Sequence, residues 1–214
     1  MRRRIRGIFL IILGLVMSIS AAGIFAVYEY QAEIAGDNAR LLLDGLCEEM
    51  QNLQQAEVFQ PENLEQPTTE LPQLTLSGYD LVGVVRAPSL GLELPVLNEW
   101  SYDLLQISPC RYSGSAEAGD LILLGHNYKK HFTPLKKLAV GDPVEFVDVT
   151  GKAYIYEVGA TEILQKTELE RLTGTDYDLT LFTCTNGGYS RFVVRCEYLY
   201  AEERDAHTLA IGTI

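Results

Sequence analysis

Between Leu81 and Tyr200 the sequence breaks into short apolar, β-branched runs: LVGVVRA, LELPVLN, LILLGH, PVEFVD, KAYIYEV, ATEILQ, LTLFTC and RFVVRCEYLY. No other feature narrows the fold as much. Each run is shorter than an ordinary helix, and Gly, Pro, Asn or Asp separates most of them. Runs of this length and spacing predict about eight strands of a mainly β domain, arranged as a sandwich or a closed barrel. Short helices fit only around residues 101–106 and 166–171, and no internal repeat is present.

A different pattern precedes the strands. MRRRIR carries four arginines, and residues 8–28, IFLIILGLVMSISAAGIFAVY, then run 21 positions without a charge. About 20 apolar residues suffice to span a bilayer, and basic flanks stay on the cytoplasmic side. The expectation is a cytoplasmic tail over 1–7, a single-pass transmembrane anchor over 8–28, and an extracytoplasmic remainder. A cleaved signal peptide is the competing reading, with an apolar centre of about 7–15 residues. SAAG near Ala22 resembles a cleavage site, yet the apolar run is longer and continues through Phe25 and Val27.

Residues 29–60 read as a helical extension, because Leu42, Leu46, Met50 and Leu53 recur every three or four positions among Asp, Glu and Gln. That stripe predicts packing against the β domain. Pro61, Pro67 and Pro72 lie in a polar stretch that denies helix and central strand, so 61–77 reads as a linker and 78–214 as the folded domain. Without the four arginines, 13 basic residues face 29 acidic ones, a net charge of −16. Nucleic acid and anionic lipid surfaces are poor partners for such a chain. Four cysteines are too few for a disulfide-built scaffold, and a chain of this length can bury a core without staples. With no CxxC or HExxH spacing and no Gly-rich loop after a strand, neither a metal nor a nucleotide cofactor is expected.

The chemistry candidates are few. Cys184 closes LTLFTC and is followed at once by TNGG, residues that turn a chain. His126 closes LILLGH in the same way, and Arg191 opens the next strand beyond the turn after Cys184. If that turn closes a hairpin, Cys184 and Arg191 face each other across its mouth. A thiolate is a good acyl nucleophile when a cation stabilises it, and a protonated histidine supplies that cation. Imidazole can hand a proton to a departing amine, and a guanidinium can hold an oxyanion. Each residue has a competitor or a plainer role. A free cysteine is commonly a small core hydrophobe, and His131 in the following loop rivals His126. Arg195 shares a strand face with Arg191, and the turn's proximity favours Arg191. His207 falls in a charged tail and reads as a surface residue. Cys110, in a loop, and Cys196, on an apolar face, leave a disulfide between them open. Thr183 and Tyr189 flank the site and suit either a peptide groove or a structural role.

These residues carry a family resemblance. The domain resembles the sortases, membrane-anchored cysteine transpeptidases of Gram-positive surfaces. TLFTC at 180–184 is similar to the family's TLxTC signature, LLGHN at 123–127 to its histidine segment, and SRFVV at 190–194 to its arginine strand. The resemblance implies an eight-stranded β-barrel with Cys184 as nucleophile, His126 as general acid or base and Arg191 as oxyanion or substrate clamp. It also implies cleavage of an LPXTG-like sorting motif in surface proteins, with transfer of the acyl group to an amine of peptidoglycan or a pilin. The helical extension, GHNY and SRFVV lean towards class B, whereas FTPLKKLAVGD resembles classes C, D and E. Glu117 and Asp120 precede the histidine strand, where some class A relatives bind calcium, but a full set of ligands is not visible. A thiol hydrolase on the same barrel and an inactive peptide-binding module are the other readings.

Overall fold

A computed structural model describes residues 2–55, 71–185 and 187–204. The chain divides into two compact units, Met1–Ile34 and Ala35–Ile214. One helix, α1 (Arg2–Gln55), contains the charge-free run and most of the predicted extension without interruption. In the first unit, residues 8–28 are helical, and the large apolar side chains among them are exposed. At about 1.5 Å per residue this stretch is some 30 Å long, the thickness of a bilayer's hydrocarbon core. Ser18 Oγ donates to the Gly14 carbonyl at 2.9 Å, so its hydroxyl is satisfied within the helix.

In the second unit α1 supplies Ala35, Ala39, Leu42, Leu46, Cys47 and Met50 to the core, the three-and-four spacing of one buried helix face. Leu46 and Met50 join an apolar cluster with Leu81, Val84, Val147 and Ile155 of the sheet. Packing of the Leu42–Met50 stripe on the β domain is therefore as the spacing predicted. The last residues of the extension, the prolines Pro61 and Pro67 of the linker, and His207 lie outside the described residues.

Among the described residues the strands number nine: β1 (Leu74–Leu76), β2 (Tyr79–Ala87), β3 (Leu92–Leu97), β4 (Cys110–Ser113), β5 (Leu121–Gly125), β6 (Pro143–Asp148), β7 (Lys152–Gln165), β8 (Leu179–Cys184) and β9 (Ser190–Glu203). They form one sheet in the order β1-β2-β3-β4-β5-β8-β9-β7-β6, and β2 also pairs with β6. That second pairing closes eight strands into a ring and leaves β1 as an appendage on β2. The ring is thinnest at β3–β4, where one partner pair, Leu97 and Cys110, is reinforced by Leu97 N–H donating to Pro109.

Two details differ from the sequence expectation. KAYIYEV and ATEILQ are one strand, because Gly159 is not a turn but a bulge, with the β7–β9 register shifting between Val158 and Ala160. The short strands β1 and β4 were not visible as apolar runs; β4 is CRYS, half polar, and β1 lies in the stretch read as linker. The expected short helices are 3₁₀ turns at Leu104–Gln106 and Leu169–Leu172, joined by others at Pro88–Leu90 and Thr133–Lys137.

Strand alternation sorts the core onto two faces. Leu121, Leu123, Leu179, Leu181, Val194 and Cys196 belong to one cluster. Ile122, Leu124, Phe182, Val193 and Cys110 belong to the other. Cys110 and Cys196 thus sit in different clusters, both buried and both free, and the disulfide left open by the sequence is not formed. Cys110 is no loop residue: it opens β4.

Candidate active site

Backbone register brings the three candidates to one edge. In the antiparallel β8–β9 hairpin, Cys184 is the partner of Arg191. In the parallel β5–β8 pair, Gly125 is the partner of Thr183, so His126, one residue on, lies level with Cys184. The alternation that places Leu124, Phe182 and Val193 in one cluster carries on to His126, Cys184 and Arg191. All three therefore continue the same face at the same end of three adjacent strands.

The turn that makes this possible is built by glycine. Gly187 and Gly188 have φ of 88° and 72°, the left-handed region that side chains disfavour. Thr185 N–H donates to Ser190 O at 2.9 Å and Gly188 N–H to Thr185 O at 2.9 Å, closing the hairpin. Arg191 Nη1 donates to the carbonyls of Gly188 at 3.0 Å and Ser190 at 3.2 Å. The guanidinium is thus folded back over the turn that follows the thiol.

Cys184 is partly exposed, whereas Cys47, Cys110 and Cys196 are buried. Burial pushes the Cys47 thiol up to about 11 and the Cys110 thiol up to about 12, and raises Cys196 as well. These three are inert thiols packed as hydrophobes. Cys184 is the one of the four that meets solvent.

His126 is held by its loop. Its ring lies parallel to that of Tyr128, with centroids 3.8 Å apart and planes 11° apart. Its backbone carbonyl accepts from Phe132 N–H at 3.2 Å. Preceding it, Gly125 has no room for a side chain, because a Cβ would strike the ring of Phe132. Burial lowers the His126 pKa below its ordinary 6.5. The imidazole is therefore neutral over the neutral pH range, and Nδ1 is buried without a hydrogen-bond partner among the described residues.

The rivals have other employment. His131 is fully buried, its Nε2 lies 3.3 Å from the Ala35 carbonyl, and burial pushes its pKa down to about 4. The loop around it is polar and its lysines are exposed, but the His131 side chain itself is covered. Arg195 is 2 % exposed. Its Nε donates to Glu162 Oε1 at 3.0 Å and its Nη1 to Thr180 Oγ1 at 2.9 Å and the Leu172 carbonyl at 3.2 Å, while Nη2 bonds the Arg171 carbonyl. Its donors are spent on β7, on β8 and on the loop between them. Thr183 is buried on the face opposite Cys184, with Oγ1 unpartnered among the described residues, and Tyr189 is 74 % exposed on the turn. Glu117 bonds Lys152 at 2.7 Å and Tyr154 at 2.9 Å, and Asp120 accepts the Ser115 N–H at 2.9 Å.

Sequence reasoning passed over an aromatic row on the same face. Trp100 stacks on Tyr112 with centroids 5.8 Å apart, and Tyr112 meets Phe182 edge-on at 5.4 Å. Phe182 is two residues before Cys184, so the row leads from the thiol towards an open cleft of about 450 Å³ lined by Asn98, Trp100, Arg111 and Tyr112. The only sequence signal was WSY at 100–102, in a segment without apolar periodicity.

Comparison with known families matches residues 85–199 to the sortase domain. The match covers more than half of the chain and includes the strands bearing His126, Cys184 and Arg191. The chain belongs to the sortase family. Solved structures with the same fold include sortase A of Listeria monocytogenes, 23 % identical, with a TM-score of 0.55 over 61 % of this chain and 97 % of that one. A sortase D5 transpeptidase of Clostridium perfringens is 18 % identical, with a TM-score of 0.55 over 72 % and 99 %. Sortase C-3 of Streptococcus pneumoniae is 21 % identical, with a TM-score of 0.54 over 81 % and 92 %. Comparison with curated protein sequences gives no match.

Proposed function

We propose that this chain is a membrane-anchored cysteine transpeptidase in which Cys184 attacks the carbonyl of an LPXTG-like sorting motif. The observation that carries the reading is the register: Cys184 opposite Arg191, and His126 level with both. Burial favours neutral imidazole at His126, so the thiol proton passes to His126 as sulfur engages the carbonyl. Arg191 supplies the fixed positive charge that offsets the thiolate and then the tetrahedral oxyanion. Collapse breaks the peptide C–N bond, His126 returns the proton to the departing amine, and a thioester remains on Cys184. An amine of peptidoglycan or of a pilin then attacks the thioester and frees the thiol. The exposure of Tyr189 on the turn supports its contact with the bound peptide.

The helix over 8–28 is the membrane anchor in this reading, with the four arginines at the cytoplasmic face and the β domain outside. Residues 29–60 are the extracytoplasmic extension, and the catalytic domain, read from the sequence as 78–214 after a 61–77 linker, begins earlier, with β1 at Leu74 already paired to β2. The test incubates the detergent-solubilised chain with sorting-type peptides and an amine acceptor, beside Cys184→Ala. A Cys184-dependent amide product supports transpeptidation, and acid product alone, with amine present, points to a hydrolase. Absence of any Cys184-dependent product overturns the enzyme.

A further inference from the structure

The loop after His126 is tied down more thoroughly than a surface loop needs. Phe132 N–H bonds the His126 carbonyl at 3.2 Å, and the N–H groups of His131 and Thr133 bond the Tyr128 carbonyl at 3.1 and 3.2 Å. Asn127 Oδ1 accepts from Thr133 Oγ1 at 2.8 Å and Lys136 Nζ at 3.3 Å. Within this frame Tyr128 is 4 % exposed, stacked on the His126 ring and also in tilted contact with the His131 ring, with those two centroids 5.6 Å apart.

His131 in turn rests on α1. Its Nε2 lies 3.3 Å from the Ala35 carbonyl, so the neutral tautomer donates there. Gly36 lets the Lys130 stem lie directly on the helix backbone, because a Cβ would collide with Lys130 Cβ, Cγ and Cδ. Lys130 Nζ pairs with Asp37 Oδ1 at 3.2 Å. Three consecutive helix residues therefore grip two consecutive loop residues, and the grip reaches His126 through one tyrosine ring.

We propose that Tyr128 and His131 are positioning residues for His126, and that helix residues 35–37 are the fixed wall against which they hold the imidazole. The inference rests on the reading of His126 as the acid–base group. A ring held flat against a neighbour has its plane fixed, and that plane contains the directions in which its nitrogens give and take protons. Burying a hydroxyphenyl and a second imidazole merely to fill space would not require their alignment in series behind the reactive ring.

The test uses the full chain in detergent with labelled histidine, which gives three ring signals. In the wild type, the Tyr128 ring current should displace the His126 ring protons upfield. His131→Leu, which keeps the tyrosine but frees its ring to leave the stack, should move them back towards unstacked values, and His131→Gln, which retains an N–H donor, should restore much of the displacement. Alkylation of Cys184 by iodoacetamide should slow in step by about 2- to 12-fold, the loss of one stacked aromatic pair expressed as a rate. Should His131→Leu not fold, as judged by Trp100 fluorescence, Tyr128→Leu against Tyr128→Phe carries the test by alkylation, slow in the first and near wild type in the second. Unchanged His126 signals and alkylation in His131→Leu, or equal alkylation in the two Tyr128 variants, overturn the proposal. Loss of alkylation control by His126→Ala tests the acid–base reading separately: if that variant reacts like wild type, the reading falls, while the ring signals still decide the clamp.

Discussion

Replacing Arg195 by Met should unfold the domain at a lower temperature without removing the reacting groups. The side chain of Arg195 is 3 % exposed and is paired with Glu162, 28 % exposed, at 2.9 Å. It also satisfies Thr180 Oγ1 and the carbonyls of Arg171 and Leu172. Breaking a buried pair from one side costs about 3–5 kcal/mol. Glu162 keeps a second partner, Arg171, at 2.8 Å and some contact with solvent, so the lower end, about 3 kcal/mol, applies. For a chain of this size each kcal/mol moves Tm by about 2–4 °C, which gives a fall of roughly 6–12 °C. Trp100, the single tryptophan, packs on Tyr112 within the β domain, so its fluorescence follows that domain and not the apolar helix. A Tm for Arg195→Met within about 2 °C of wild type would refute the assignment of Arg195 as the clamp of the β7–β8 loop.

Arg191→Ala should do the reverse, leaving Tm within about 2 °C because its bonds are to carbonyls of the exposed turn, while lowering turnover on a sorting peptide by about 10²-fold or more; equal effects of Arg191→Ala and Arg195→Met on turnover, measured below both melting points, would contradict the choice between them. His131 is neutral in the fold and holds its pKa at about 4, so the unfolded chain binds the proton first and stability falls as pH drops from about 6.5 towards 4. Its share at pH 5 is about 2 kcal/mol, and His131→Gln should lose correspondingly less Tm between pH 7.5 and 5; an unchanged pH dependence would count against the buried neutral form. Gly125→Ala forces a Cβ onto the Phe132 ring and should cost about 1–3 kcal/mol in a urea titration, with slower Cys184 alkylation; a variant as stable and as reactive as wild type would show that the loop can yield.

Much of this fold was legible because its strands are short, β-branched and separated by turn residues. What escaped did so for identifiable reasons. Gly159 carries the same local signal whether it turns the chain or bulges a strand, and only the β9 partner decides. β4 is held by neighbours on both sides and so needs no apolar alternation of its own. The convergence of Cys184, His126 and Arg191 was legible because each abuts a turn at a strand end, and pairing brings them level. The preference for Arg191 over Arg195 rested on distance from the turn; burial adds a second reason, since Arg195 is held by loop carbonyls 24 and 23 positions earlier in sequence. The burial of His131, a rival to His126 in the sequence, could not be read from its polar loop because its cover comes from α1, ninety-six positions earlier. No local pattern announces such a contact.

Trapping the covalent intermediate tests the central claim most directly. The full chain is mixed with a sorting-type peptide, quenched in acid, digested and mapped by mass spectrometry. The convergence of Cys184, His126 and Arg191 predicts the amino-terminal fragment of the peptide as a thioester on Cys184, lost in His126→Ala. A peptide cleaved and transferred with the fragment on a different residue, or with no dependence on Cys184, would contradict it.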